Sequence, residues 1–198
     1  MNALIIFIKN PELGKVKTRL ATSVGDKNAL IIYNYLLDHT REISSELELE
    51  RYLFYDEKII FNDNWPNEQY KKHLQTGNDL GEKMQNAFQT AFQNGHRKVV
   101  IIGSDCLELN TYLIIQAFKN LENHDFVIGP AIDGGYYLLG MKSLETCLFE
   151  NKNWSTNTVA AETLNDFRLL QKSFCILTEL SDIDTENDLT DELKNLIR

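Results

Sequence analysis

The sequence predicts an α/β fold: a mostly parallel central sheet with helices on both faces. Three observations predict it. Short apolar runs, at residues 4–8, 99–102 and 126–128, alternate with longer segments whose apolar residues recur at helical spacing. The run Val99-Val100-Ile101-Ile102 is apolar without interruption, as a parallel strand covered on both faces must be. A single Asp133-Gly134-Gly135 turn breaks the alternation with one hairpin.

Each element has a local reason. Residues 4–8 form the first strand, and Pro11 and Gly14 then open a loop. Gly25-Asp26 is a stop and restart, with Asp26 expected to cap a helix carrying Ala29, Leu30, Tyr33, Leu36 and Leu37. Residues 51–55 are short and aromatic, a second strand. Residues 62–67 read as a loop leading to a brief helix and a short strand near residues 73–75. The clearest helix follows Asp79, whose spacing to Glu82 resembles a capping box, and Asn94-Gly95 ends it. Residues 99–102 give the central strand, and a helix spans about residues 111–121 after Asn110. Strands follow at 126–128 and 136–140, on either side of the turn. Ser155 or Thr156 is expected to cap a helix through Val159, Leu164 and Phe167. A last strand spans 174–177, and a C-terminal helix carries Leu189, Leu193, Leu196 and Ile197. No repeat, low-complexity tract or linker divides the 198 residues, so one domain over 1–198 is expected.

Composition narrows the function. Lys plus Arg number 20 against 29 Asp plus Glu, a net charge of -9, which argues against nucleic acid as a partner. No apolar stretch is long enough for a membrane span, and no signal peptide is expected at the N-terminus. Cys106, Cys147 and Cys175 form no CxxC pair, and the histidines lack ligand spacing, so neither zinc nor a disulfide framework is indicated. A cytoplasmic setting follows as an expectation.

Against that acidic background, Lys9, Lys15, Lys17 and Arg19 crowd one loop after the first strand. Cations so close repel one another, and a phosphate between them relieves that repulsion, as Arg and Lys suit phosphate. A solvated basic turn is the alternative. Asp105 ends the central strand, where open parallel sheets bind ligands, and a carboxylate there suits Mg or Mn bridging to a diphosphate. Helix capping competes for it, although Asn110 is better placed. Asp182 and Asp184 are a second acidic pair, as metal ligands or with Asp184 or Thr185 as a cap. Asp133-Gly134-Gly135-Tyr136 is a turn only, or a turn that admits an acceptor against Gly134, Gly135 and Tyr136 with Asp133 as its base. Gln75, Gly77 and Asp79 open the strongest helix and could read a nucleobase edge, with Asp79 as a simple cap the rival. Trp154 reads as packing.

Taken in order, these motifs resemble a known family: residues 7–11 and 14–20, then 79–84, 103–106, 129–137, 154–156 and 182–185. The chain resembles the bacterial DUF2064 family, of arsenosugar-biosynthesis-type glycosyltransferases, within the nucleotide-diphospho-sugar transferases of GT-A fold. The resemblance implies a Rossmann-like sheet and a nucleotide bound at the first strand, beside Phe7 and Lys9. It implies that the stretch Lys17-Thr18-Arg19-Leu20 contacts phosphates and that Asp105 holds a metal ion. Leu107 departs from the family, which has Pro there. The expectation is a metal-dependent transferase moving a sugar from a nucleotide sugar to a small acceptor. In it Lys15, Lys17 and Arg19 neutralise the diphosphate. Nucleotidyl transfer from a triphosphate to a phosphorylated small molecule is one alternative, and a non-catalytic nucleotide-binding domain another.

Overall fold

A computed structural model describes residues 1–198. Seven strands form one sheet: β1 (Asn2–Ile8), β2 (Glu50–Tyr55), β3 (Tyr70–Leu74), β4 (Lys98–Ile102), β5 (Phe126–Pro130), β6 (Tyr136–Met141) and β7 (Phe174–Ile176). Six helices accompany them: α1 (Thr18–Val24), α2 (Asp26–Ser45), α3 (Leu80–Gln93), α4 (Thr111–Asn123), α5 (Val159–Leu169) and α6 (Asp191–Leu196). The strand order is β3-β2-β1-β4-β6-β5-β7. β6 runs antiparallel to both neighbours, and every other pairing is parallel.

Side-chain alternation divides the core into two layers. Leu4, Ile6, Ile8, Val100 and Ile102 face a cluster completed by Tyr33 and Leu37 of α2 and Ile114, Phe118 and Leu121 of α4. Ala3, Ile5, Val99 and Ile101 face the other, completed by Met84, Ala87, Phe88 and Ala91 of α3 and Phe167 of α5. The α3 residues recur at positions i, i+3, i+4 and i+7, one helical stripe. Fully burying a side chain such as Phe88 stabilises the fold by roughly 1.5–3 kcal/mol. Leu20, Ile32 and Leu36 form a third, smaller cluster with Leu193 of α6.

The topology fixes where a ligand can go. From β1 the chain winds outward through β2 to β3, then returns to place β4 on the other side of β1. The order reverses between β1 and β4, and a crevice opens above their carboxyl ends.

Several local expectations change. Gly25 (φ 82), not Asp26, is the N-cap of α2, because it also closes α1 and only a left-handed residue makes that corner. No helix forms before β3: the Gln69 and Tyr70 amides both turn back to the Pro66 carbonyl, and the strand begins at Tyr70. Neither Ser155 nor Thr156 caps α5, whose N-cap is Thr158, because Ser155 is itself left-handed (φ 63). Thr185 caps the short 3-10 turn Glu186–Asp188, and Thr190 caps α6. Two caps hold as expected: the Asp79 side chain accepts from the Glu82 amide, and Asn110 accepts from Leu113.

Gly129 shows how tightly β5 and β6 pack. A Cβ there would lie 2.3 Å from the Tyr137 ring, whose hydroxyl donates to the Thr178 carbonyl at 2.8 Å. Gly129→Ala is therefore expected to destabilise the protein by about 1–3 kcal/mol, the usual cost of overpacking, as measured by urea unfolding.

Candidate active site at the carboxyl ends of the first and fourth strands

The crevice is a cleft of about 670 Å³. Its floor is the end of β1 (Phe7, Ile8, Lys9) and of β4 (Ile101 to Asp105), and its rims are Gln75, Asp133, Gly135, Tyr136, Tyr137, the 154–157 segment and Asp182 with Asp184.

Two buried side chains shape the basic loop. The Tyr33 hydroxyl accepts from the Lys9 amide (2.7 Å), donates to the Lys9 carbonyl (3.1 Å) and lies 3.4 Å from Ser104 Oγ. One hydroxyl of α2 thus ties the exits of β1 and β4 together. Burial and the Asp105 charge push its pKa up, so it remains a neutral phenol. Asn10, 3% exposed, accepts from the Glu57 and Lys58 amides and donates to the Lys58 carbonyl, while its own amide donates to Asp56. Sequence reading missed both. The hydroxyl in the apolar stripe of α2 was the one available signal for Tyr33; Asn before Pro was the signal for Asn10.

Lys17 is the centre of charge. Its side chain is 5% exposed, and Nζ lies 2.7 Å from Asp105 Oδ1 and 3.2 Å from Asp184 Oδ1. Arg19 Nη1 lies 3.3 Å from the other oxygen of Asp184. Burial pulls the Lys17 pKa down, but the charges and hydrogen bonds of Asp105 and Asp184 outweigh it, and it stands above its ordinary value. Lys17 adopts a left-handed conformation (φ 48, ψ 44) as N-cap of α1, a strain of about 1–3 kcal/mol for a residue with a side chain. The Ile183 amide donates to the Asp105 carbonyl at 2.9 Å, so the two acidic loops are also joined through backbone.

Asp182 is half-buried beside this pair. Burial first, then the negative charges of Asp105 and Asp133, raise its carboxyl pKa to about 7, against the pull of Lys17. No hydrogen bond lowers it. Cys106 lies beneath, its thiol pushed up to about 12 by burial and by Asp182, which leaves it inert as a nucleophile.

Of the residues singled out from sequence, Phe7, Lys9, Lys17, Arg19, Gln75, Asp105, Asp133, Gly135, Tyr136, Asp182 and Asp184 all line the cleft. Four others do not, and each has a physical reason. Lys15 points away, paired with Glu12 (2.8 Å) and Glu57 (3.0 Å) on the outside of the loop. Gly77 is left-handed (φ 140) and packs on the first turn of α3, where a Cβ would meet Glu82 at 2.7 Å. Asp79 is occupied as the α3 cap. Gly134 (φ 89) admits backbone rather than ligand: a Cβ there would lie 2.1 Å from the Asn157 carbonyl oxygen, and the Gly134 carbonyl accepts from the Ala160 amide. The turn therefore anchors the 154–157 segment, which brings Trp154, Thr156 and Asn157 into the cleft. Gln75 spends its amide nitrogen on the Ile8 and Phe54 carbonyls, leaving its oxygen for a ligand.

The donor set suits a hard divalent cation in kind: all carboxylate oxygen, with one carboxylate, Asp182, unpaired in a negative surrounding. No three acidic or metal-ligating side chains converge on one point. An ion here would take one or two of Asp105, Asp182 and Asp184 and complete its shell with ligand oxygens and water.

The raised pKa of Asp182 makes stability depend on pH. Its folded pKa of about 7 lies above its ordinary 3.8, so between those values the folded chain holds a proton that the unfolded chain has released. That contribution to stability is present below pH 4 and is lost as pH rises towards 7. Asp182→Asn is expected to flatten the fall in melting temperature across this window and to melt higher than the wild type at pH 8; equal slopes would refute the assignment.

Comparisons with known proteins fit this arrangement. No curated protein matches the chain. Among solved structures, a candidate nucleotide-diphospho-sugar transferase from Desulfovibrio desulfuricans G20 superposes with a TM-score of 0.86 at 29% identity, over 100% of this chain and 96% of that one. The 4-diphosphocytidyl-2C-methyl-D-erythritol synthase of Anaerococcus prevotii DSM 20548 gives 0.59 at 12% identity, over 100% and 98%. The inositol-1-phosphate CTP transferase of T. maritima gives 0.54 at 13%, over 100% and 95%. The last two show a shared fold, the Rossmann-like GT-A sheet expected from sequence. Residues 40–156, more than half of the chain, match the family described as an uncharacterized protein conserved in bacteria, DUF2064, and the chain belongs to that family.

Proposed function

We propose that this protein is a transferase that binds a nucleoside-diphosphate sugar in the cleft and passes the sugar to a small-molecule acceptor. The observation that carries the proposal is the meeting of Lys17 and Arg19 with Asp105, Asp182 and Asp184 at the switch point of the sheet. Likeness to the D. desulfuricans structure supports the same direction.

In this scheme Phe7 and the free oxygen of Gln75 meet the nucleotide end, and Lys9, Lys17 and Arg19 meet the diphosphate. Arg19 is exposed and can swing from Asp184 to a phosphate. Lys17 need not move far: an anion arriving at its Nζ shares a proton donor already in place. Asp105, with Asp182 or Asp184, would hold Mg or Mn, which when bound stabilises the charge developing on the leaving diphosphate. The bond from the sugar's anomeric carbon to the diphosphate oxygen breaks, and one to the acceptor oxygen forms. Asp133 would take the acceptor's proton: one carboxylate oxygen accepts from the Gly135 amide at 2.8 Å, which fixes the group and leaves the other free.

A second reading, nucleotidyl transfer from a triphosphate, is favoured by one observation. The chain covers 98% and 95% of two structures whose names describe cytidylyl chemistry. A thermal-shift series of nucleoside triphosphates and nucleotide sugars, with and without Mn, separates the two. Nucleotide sugars giving the larger shift supports glycosyl transfer; triphosphates doing so supports the second reading.

Arg19→Ala is expected to weaken nucleotide binding by about 1.5–3 kcal/mol by calorimetry, the range for a hydrogen bond to a charged group. Asp105→Asn should still fold, since Lys17 keeps Asp184, but should lose the metal-dependent part of nucleotide affinity; a loss of stability alone would make Asp105 structural. Asp133→Asn should bind donor as the wild type does and turn over slowly. A fall in donor affinity would place it elsewhere.

A further inference from the structure

The cleft has two unlike halves. All its cations, Lys9, Lys17 and Arg19, come from one short stretch at one end. They face four carboxyl groups, Asp105, Asp133, Asp182 and Asp184, so the cleft holds no surplus of positive charge before any ligand enters. Two of the three are already committed: Lys17 to Asp105 and Asp184, Arg19 to Asp184. The other half is an apolar wall of Met84, Tyr136 and Trp154, with Leu80 on the α3 turn that Trp154 packs against. Tyr136 and Trp154 pack on the same cluster as Met84, and the Tyr136 hydroxyl has only the Met84 thioether for a partner, at 3.6 Å. Trp154 sits against the first turn of α3: a Cβ on Gly81 would lie 2.5 Å from its indole nitrogen. Leu80 is 39% exposed, apolar surface left uncovered at the mouth. The polar groups beside this wall, Ser155, Thr156 and Asn157, are neutral.

We propose that the apolar wall seats the acceptor, and that the acceptor is an uncharged, hydroxyl-bearing small molecule with an apolar or aromatic group. The inference deepens the glycosyl-transfer reading and rests on it for the word acceptor. A phosphorylated acceptor fits poorly. It would bring further negative charge to a cleft whose cations are already needed by the donor diphosphate and by the carboxylates, and an uncompensated charge beside apolar surface is strongly disfavoured. A neutral alcohol with an apolar group gains by covering Leu80 and Trp154, and its hydroxyl can meet Thr156 or Asn157 within reach of Asp133.

Two matched probes test this, 2-phenylethanol and 2-phenylethyl phosphate, followed by saturation-transfer NMR in inorganic phosphate buffer, which occupies the basic end. The neutral alcohol is expected to bind at least tenfold more tightly than its phosphate ester. Leu80→Arg, at a partly exposed site that tolerates a long side chain, should narrow that gap at least fivefold, and Trp154→Ala should weaken the alcohol at least fivefold. The inference is overturned if the ester binds as well as the alcohol, if the alcohol does not bind, or if neither substitution changes its affinity. Displacement of the alcohol by uridine or guanosine would assign the wall to a nucleobase and also overturn it. No nucleotide sugar enters these titrations, so their failure leaves the donor reading standing, and failure of the nucleotide series above leaves this result interpretable.

Discussion

One buried ammonium organises this molecule. Lys17 Nζ is held between Asp105, from the middle of the chain, and Asp184, from near its end, at 2.7 and 3.2 Å. Burying an unpaired cation is costly, so the position is tenable only while both acidic loops stay in place. They stay because other contacts fix them independently. The Ile183 amide reaches the Asp105 carbonyl, Tyr33 joins the β1 and β4 exits, and Asn10 fastens the basic loop to residues 56–58. The strained backbone of Lys17 is the local cost of that arrangement. Strain of this kind persists only where surrounding structure over-determines it, and here the surroundings are the site itself.

Much of the fold was legible, because its signals are local. The uninterrupted apolar run of β4 required a covered parallel strand, and Asp133-Gly134-Gly135 required a turn that reverses β6. The site was legible in kind but not in pairing. Lys15 and Lys17 are the same residue two positions apart, yet one faces solvent and one is buried. What separates them is Glu57, 42 residues from Lys15, and Asp184, 167 residues from Lys17. No periodicity in the sequence carries that information. Gly134 teaches the same lesson differently. Two adjacent glycines suggest either a turn alone or a ligand's close approach, and the atom that comes close to Gly134 belongs to Asn157 of the same chain. Asp79 and Gly77 lie outside the cleft lining, where capping and packing α3 use them.

The two halves of the cleft are held by different means. The charged half is cross-linked by ion pairs and hydrogen bonds between β1, β4 and the 181–185 loop. The apolar half hangs on packing against α3 and on one glycine turn, which joins Gly134 to Ala160. A mutation in the first half leaves a charge without a partner. One in the second leaves a gap in an apolar wall. The first kind perturbs electrostatics at a distance, and the second changes shape only nearby.

The charge balance of the cleft bears on how an anion could enter it. Four carboxyl groups face three cations, and one of them, Asp182, holds its proton towards neutrality because it is buried and its neighbours are negative. Adding a bare diphosphate to that set brings negative charge that no spare cation offsets. Adding it together with a divalent cation does not, since the ion offsets carboxylate and phosphate charge at once. On the proposed reading, then, anion and cation each raise the affinity for the other by the same factor, as linkage requires. Lys17 alone is already matched by the two carboxylates it serves, so its charge cannot also neutralise a diphosphate unless one of them finds another partner. On that reading the basic loop by itself is an incomplete phosphate site, and the aspartates that hold its lysine are what complete it.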